Sequence, residues 1–178
     1  MEQTPRANRI HIGIYGRCNS GKSSLINAIT GQQTAVVSEV AGTTTDTVNK
    51  SMELPGVGAV TFIDTAGFDD TGELGAKRLE QTRKAADRTD VAVIVHAGGE
   101  PGAEREWIGL FGERNIPVVL VLNKADLLND EAAAVSALRA ETGINPIAVS
   151  ALTGKGIGEL IAAIAEAGLH HGQSRRAW

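Results

Sequence analysis

Ile10-His11-Ile12-Gly13-Ile14-Tyr15-Gly16-Arg17-Cys18-Asn19-Ser20-Gly21-Lys22-Ser23-Ser24 is the stretch whose reading decides the fold. Residues 10–15 form a largely apolar run of strand type, residues 16–23 match G-x-x-x-x-G-K-S/T, and a helical pattern opens at Lys22. Strand, glycine-bounded loop and helix start, in that order, build an anion nest. The two glycines let the backbone wrap closely, so the N–H groups of Asn19, Ser20, Gly21, Lys22, Ser23 and Ser24 converge on phosphate oxygens. The helix N-terminus adds partial positive charge. Lys22 is placed to reach the β- and γ-phosphates, and the Ser23 hydroxyl to ligate Mg2+.

Outward from this unit, β-type runs over residues 60–64, 91–96, 116–122 and 146–149 alternate with helical periods over 22–30, 73–88, 102–114, 130–141 and 156–167. In the last of these, Ile157, Leu160, Ile161 and Ile164 share one apolar face. Strands as apolar as Pro117-Val118-Val119-Leu120-Val121-Leu122 suit a parallel sheet buried on both faces. The expected fold is a three-layer α/β/α domain with a mostly parallel six-stranded sheet. Residues 47–54 add one antiparallel edge strand, turned onto 60–64 through Pro55-Gly56. Gly31 and Gly143 fall where helix C-caps are expected. Residues 1–8 read as a tail, 9–168 as one domain, and 169–178 as a poorly ordered polar tail or the start of a linker. In such a sheet ligands bind at the carboxyl ends of the strands.

Three further motifs follow strand ends or precede a strand. Asn123-Lys124-Ala125-Asp126 follows the strand ending at Leu122. A carboxylate at Asp126 accepts from guanine N1–H and the 2-amino group. Adenine offers neither donor and would leave Asp126 buried and unpaired. Asn123 is placed for the purine N7 edge, the Lys124 stem for the ring face, and the backbone N–H groups of Ser150, Ala151 and Leu152 for guanine O6. Asp64-Thr65-Ala66-Gly67 closes the strand 60–64, with Asp64 holding Mg2+ through a water and the Gly67 N–H meeting the γ-phosphate. Gly42-Thr43-Thr44-Thr45-Asp46 supplies a second hydroxyl for Mg2+, Thr44 first and Thr43 or Thr45 behind it. The ligand these residues describe is GTP or GDP with Mg2+.

Composition removes several other classes. A net charge of −4 and 3% aromatic residues argue against nucleic-acid binding through a broad basic face or a base-stacking platform. No apolar run is long enough to cross a bilayer and residues 1–8 carry no secretory signal, so a cytoplasmic setting without a membrane partner is expected. Cys18, the sole cysteine, excludes an internal disulfide and an all-cysteine metal site built from this chain alone. His11 and His96 read as strand residues at the core edge, and Trp107, Ile108, Leu110 and Phe111 as helix packing.

Together these motifs resemble the G domain of translation-factor-class GTPases, most closely the TrmE/Era group, a Ras-like P-loop NTPase fold. Phe68 follows Asp64-Thr65-Ala66-Gly67 where Ras-type proteins carry a water-orienting glutamine, and Asn19 occupies the phosphate-loop position of the potassium-activated members. The resemblance implies K+ at Asn19 and at backbone carbonyls of residues 40–44, and pairing through G domains; with no strong general base or cis arginine visible in the sequence, intrinsic turnover is expected to be slow. The Gly67 backbone or Glu73 would orient the attacking water, with Asp69 and Asp70 behind them. Ala41-Gly42-Thr43-Thr44-Thr45-Asp46, Lys50-Ser51-Met52-Glu53-Leu54 and Asp64 through Gly75, ending Gly72-Glu73-Leu74-Gly75, further resemble the HydF family, GTPases of iron–iron hydrogenase maturation. That likeness covers roughly residues 8–168 and implies an excised N-terminal GTPase domain. The iron–sulfur cluster and the contacts with hydrogenase and its other maturation proteins would then belong to parts beyond this chain.

Overall fold

The computed structural model describes residues 10–17, 20–32, 38–39, 47–54, 57–65 and 83–176. Seven strands run β1 (Ile10–Gly16), β2 (Ser38–Glu39), β3 (Thr47–Leu54), β4 (Gly58–Thr65), β5 (Val91–His96), β6 (Val118–Leu122) and β7 (Ile147–Ala148). They form one sheet in the order β2-β3-β4-β1-β5-β6-β7. β1 lies parallel to β4 and to β5, with Ile12 beside Phe62 on one side and Val91 on the other. β5, β6 and β7 continue the parallel set. β3 alone runs against it, antiparallel to β4 over all eight of its residues, from Thr47 beside Thr65 to Leu54 beside Gly58. The expected α/β fold class is thus present. The two-residue β2 pairs outside β3, so β3 stands one place in from the edge.

Period-two alternation decides what each face buries. Val91, Val93 and Val95 join Ile12, Ile14, Phe62 and Val121 in a core covered by α1 (Lys22–Gln32) and by the C-terminal helix (Ile157–Arg176). Ala92 and Ile94 point the other way. They join Tyr15, Leu120 and Leu122 under residues 83–86, α2 (Gly102–Glu113) and α3 (Glu131–Thr142). All six residues of β5 are buried, the condition that a continuous apolar strand requires. The C-terminal helix, α4 in chain order, seats Ile157, Leu160, Ile161 and Ile164 in the first core, as their spacing predicts.

Helix ends depart from expectation in two places. Gly31 lies inside α1 rather than capping it. An interior glycine costs about 1 kcal/mol, which the buried Leu25, Ile26 and Ile29 offset. α4 continues to Arg176, well past residue 167, because no proline interrupts it and extending a formed helix is far easier than nucleating one. Gly143 does cap α3: its φ is 77° and its N–H returns to the Arg139 carbonyl at 2.8 Å, while the Asp130 carboxylate caps the other end. No helix among the described residues is long and apolar enough to cross a membrane.

Candidate functional site

β1 is where the chain switches sides: β3 and β4 lie to one side of it, β5, β6 and β7 to the other. An α/β sheet opens a crevice at the carboxyl ends of its strands at such a point. The loop after β1, the turn after β6 and the turn after β7 all emerge there.

In the first loop, Lys22 is 7% exposed and folds back over the backbone. Its Nζ donates to the Gly16 carbonyl at 2.7 Å and to the Arg17 carbonyl at 3.1 Å. Ser20 N–H closes the turn on Arg17 O at 3.1 Å, and Leu25 N–H bonds Gly21 O at 2.9 Å as α1 begins. Ser23 and Ser24 lie exposed in the first turn of that helix. Gly21 has φ +88°, and a Cβ there would come within 2.5 Å of Asn123 Nδ2. The loop glycine therefore serves a close approach to the β6 turn as well as the conformation.

That approach is sealed by a hydrogen bond from Asn123 Nδ2 to Ser20 O at 2.8 Å, joining residues 103 positions apart. Asn123 is held in turn by its own N–H on His96 O at 2.8 Å. Lys124 adopts the left-handed conformation, φ 59°, which sends its stem toward Gly21, and Ala125 N–H then meets Val149 O at 3.0 Å. The buried Ser150 gives its hydroxyl to Asp126 Oδ1 at 2.8 Å.

Asp126 is exposed, its turn projecting beyond the strand ends, and so stands open to a bound base. One expectation is corrected. Ser150 N–H is taken by Lys155 O at 2.9 Å, so Ser150 acts through its hydroxyl and the backbone N–H expectation passes to Ala151 and Leu152. Asn19, Thr44, Gly67 and Glu73 lie outside the described residues, as do Asp69 and Asp70. Asp64 is placed by its backbone at the carboxyl end of β4, beside Ile14 of β1.

Sequence reasoning missed one polar cluster. Glu104, 1% exposed in the first turn of α2, has Oε1 3.3 Å from His96 Nδ1 and 3.7 Å from Arg17 Nε. Arg17 also donates from Nη2 to Glu100 O at 2.5 Å. His96, buried at the end of β5 as its place in the sequence suggests, is also a partner of a buried carboxylate. The available signal was Glu104 itself, an acid in register with Trp107 and Phe111 on the buried face of one helix.

The buried Ser20 Oγ and Asn123 Oδ1 have no hydrogen-bond partner among the described residues, as expected at a place where a polar ligand completes the bonding. The described residues contain no group of three or more His, Cys, Asp or Glu side chains fit to hold a metal. A Mg2+ ion here would rely on hydroxyls, water and phosphate oxygens, its usual arrangement with nucleotides.

A G-x-x-x-x-G-K-S loop at a sheet switch point, joined to an N-K-x-D turn, is the arrangement of a P-loop GTPase domain. Residues 11–124 match the family model described as 50S ribosome-binding GTPase, and the chain belongs to that family. It is 36% identical over 164 residues to tRNA modification GTPase MnmE of Xanthomonas oryzae pv. oryzae, covering 92% of this chain and 35% of that protein. To GTPase Der of Wolinella succinogenes it is 40% identical over 136 residues, 74% of this chain and 28% of the relative. The chain thus spans about a third of the length of these relatives. Among solved structures, Aquifex aeolicus Era bound to GDP.AlF4- is similar at a TM-score of 0.68 and 25% identity, over 88% of this chain and 56% of that one. The chain is a GTP hydrolase domain of the TrmE/Era/Der type. None of these relatives bears a hydrogenase-maturation name, so the coarser family stands and the HydF likeness rests on its sequence runs alone.

Proposed function

We propose that this domain binds Mg2+-GTP and hydrolyses it slowly, as the switch module of a TrmE/Era/Der-type protein. The observation that carries the reading is the join between phosphate loop and base turn: Asn123 Nδ2 on Ser20 O, with Lys22 folded over Gly16 O and Arg17 O beside it. Lys22, released from those carbonyls, reaches the β- and γ-phosphates, and the N–H groups of residues 19–24 surround them. Asp126 reads N1–H and the 2-amino group, its orientation fixed by Ser150. Ser23, Thr44 and, through a water, Asp64 would hold Mg2+, which would supply charge neutralisation to the triphosphate. The Gly67 N–H meets the γ-phosphate, and Glu73 orients the attacking water. Asn19 would help hold K+, which would supply the charge that an arginine finger gives elsewhere, a reading that rests on the family resemblance of the phosphate loop.

Calorimetry with GTP, GDP and ATP tests the core of this reading. Tight GTP and GDP binding with weak ATP binding is expected; equal affinity for ATP, or unchanged affinity in Lys22→Ala, sinks it. Hydrolysis in KCl should exceed hydrolysis in NaCl, and Asn19→Ala should erase the difference. Equal rates in the two salts refute the potassium site alone.

A second reading, that the domain serves hydrogenase maturation, is favoured by Ala41 through Asp46 and by Gly72-Glu73-Leu74-Gly75. Restoration of hydrogenase activity by the parent gene in a maturation-deficient host would support it. Restoration of tRNA modification in a host lacking that GTPase would support the first.

A further inference from the structure

Glu104 poses a physical problem that nucleotide chemistry does not explain. A carboxylate this deeply buried carries a large desolvation penalty unless charged or hydrogen-bonding partners offset it. Its Oε2 has no hydrogen-bond partner among the described residues, and Oε1 faces only Arg17 Nε at 3.7 Å and His96 Nδ1 at 3.3 Å. Its place in the first turn of α2 adds favourable helix-end charge. An apolar residue at this position would pack against the same sheet without the penalty. What the charge holds is therefore the question.

Arg17 is the first residue after Gly16, and its carbonyl is a shared anchor. That one oxygen accepts from Ser20 N–H at 3.1 Å, which sets the loop turn, and from Lys22 Nζ at 3.1 Å. The Arg17 side chain meets this region twice, by charge at Glu104 in the first turn of α2, with Nε 3.7 Å from Oε1 and no hydrogen bond, and by a hydrogen bond to the Glu100 carbonyl just before the helix. His96, the second partner, carries Asn123 on its carbonyl, and Asn123 returns to the loop through Ser20 O. The contacts close a ring: Arg17, Glu104, His96, Asn123, Ser20 and back to Arg17.

We propose that Glu104 is a positioning residue for the nucleotide. Through Arg17 its buried charge fixes the loop backbone that Lys22 and the phosphates share, and through His96 it ties that backbone to the β6 turn. The proposal rests on the nucleotide-binding reading above. It assigns α2, which contributes no residue to the nucleotide pocket in that reading, a direct hold on phosphate affinity. Guanine preference, set at Asp126, does not depend on it.

The test is a double-mutant cycle on Mg2+-GDP affinity with Glu104→Gln, Arg17→Gln and the pair, each checked for wild-type circular dichroism. Each single change should weaken GDP binding about tenfold, equivalent to about 1.4 kcal/mol. The pair should lose no more than the worse single variant, because both remove one interaction. The ratio of GDP to ADP affinity should stay within about twofold of wild type in all three. Unchanged affinity in either single variant, or losses that multiply in the pair, overturns the proposal. If Glu104→Gln does not fold, Arg17→Gln decides: its side chain is 30% exposed, and wild-type GDP affinity in that folded variant refutes the role. Failure of the unaltered chain to bind GDP would instead refute the nucleotide reading itself.

Discussion

Asp126 Oδ1 accepts the Ser150 hydroxyl at 2.8 Å, yet a carboxylate oxygen has room for a second donor, so both oxygens remain able to receive guanine. Asp126→Asn replaces an acceptor with a donor aimed at the 2-amino group. GTP affinity should fall at least about a hundredfold, while XTP, which presents a carbonyl there, should gain; competition binding with the two nucleotides measures both. Tyr15 offers a second test at this scale. It is fully buried, and burial pushes its hydroxyl up from 10.0 to about 12, against a smaller lowering by the hydrogen bond to Thr89 at 2.7 Å. The folded state holds this proton more tightly than the unfolded chain. Stability is therefore unaffected by this group below pH 10 and falls as pH rises from about 10 to about 12, by up to about 1.4 kcal/mol per pH unit. Tyr15 is the sole tyrosine, so tyrosinate absorbance reports it alone, and Tyr15→Phe should abolish this part of the alkaline loss.

At the scale of elements, two glycines with similar φ separate conformational strain from collision. Gly143 caps α3 at φ 77° with open space where a Cβ would stand, so Gly143→Ala should cost about 1–2 kcal/mol in urea unfolding. Gly156 precedes α4 at φ 75°, and a Cβ there would overlap the Ala148 carbonyl of β7 and crowd Val149. Gly156→Ala must move backbone, so it should destabilise more than Gly143→Ala. It should also weaken GTP binding, because β7 leads directly into Ser150. Sequence alone made the parallel strands, the β3–β4 hairpin and the Gly143 cap legible, since each depends on local periodicity or a single conformational demand. Hydrophobic spacing located the start of α4 but not its end, where only the absence of a stop signal acts. The two halves of the pocket were legible as motifs. Their joint, Asn123 on Ser20, and the Glu104 cluster were not, because both depend on strand order, which brings β6 and α2 against a loop some 80 to 100 residues earlier.

For the molecule as a whole, a nucleotide bound at the carboxyl ends of the strands would tie together the two sides of the sheet switch. α1 and α4 cover one face and α2 and α3 the other, with separate clusters of buried side chains. Side-chain hydrogen bonds join the loop of β1 to the turn of β6, at Asn123 and Ser20, and the turn of β6 to that of β7, at Ser150 and Asp126. A ligand gripped by all three tips binds the folded state and has no counterpart site in the unfolded chain. Linkage then fixes the size of the effect: GDP with Mg2+ at about a hundred times its Kd should add about 2.7 kcal/mol. In a chain of 178 residues that raises Tm by roughly 5–11 °C. ATP at the same concentration should leave Tm within about 1 °C, since Asp126 gives adenine no donor to accept from. Scanning calorimetry with Lys22→Ala as the control would check it: that variant should lose most of the GDP-induced rise, and a rise as large with ATP as with GDP would mean that the β6 turn does not read the base.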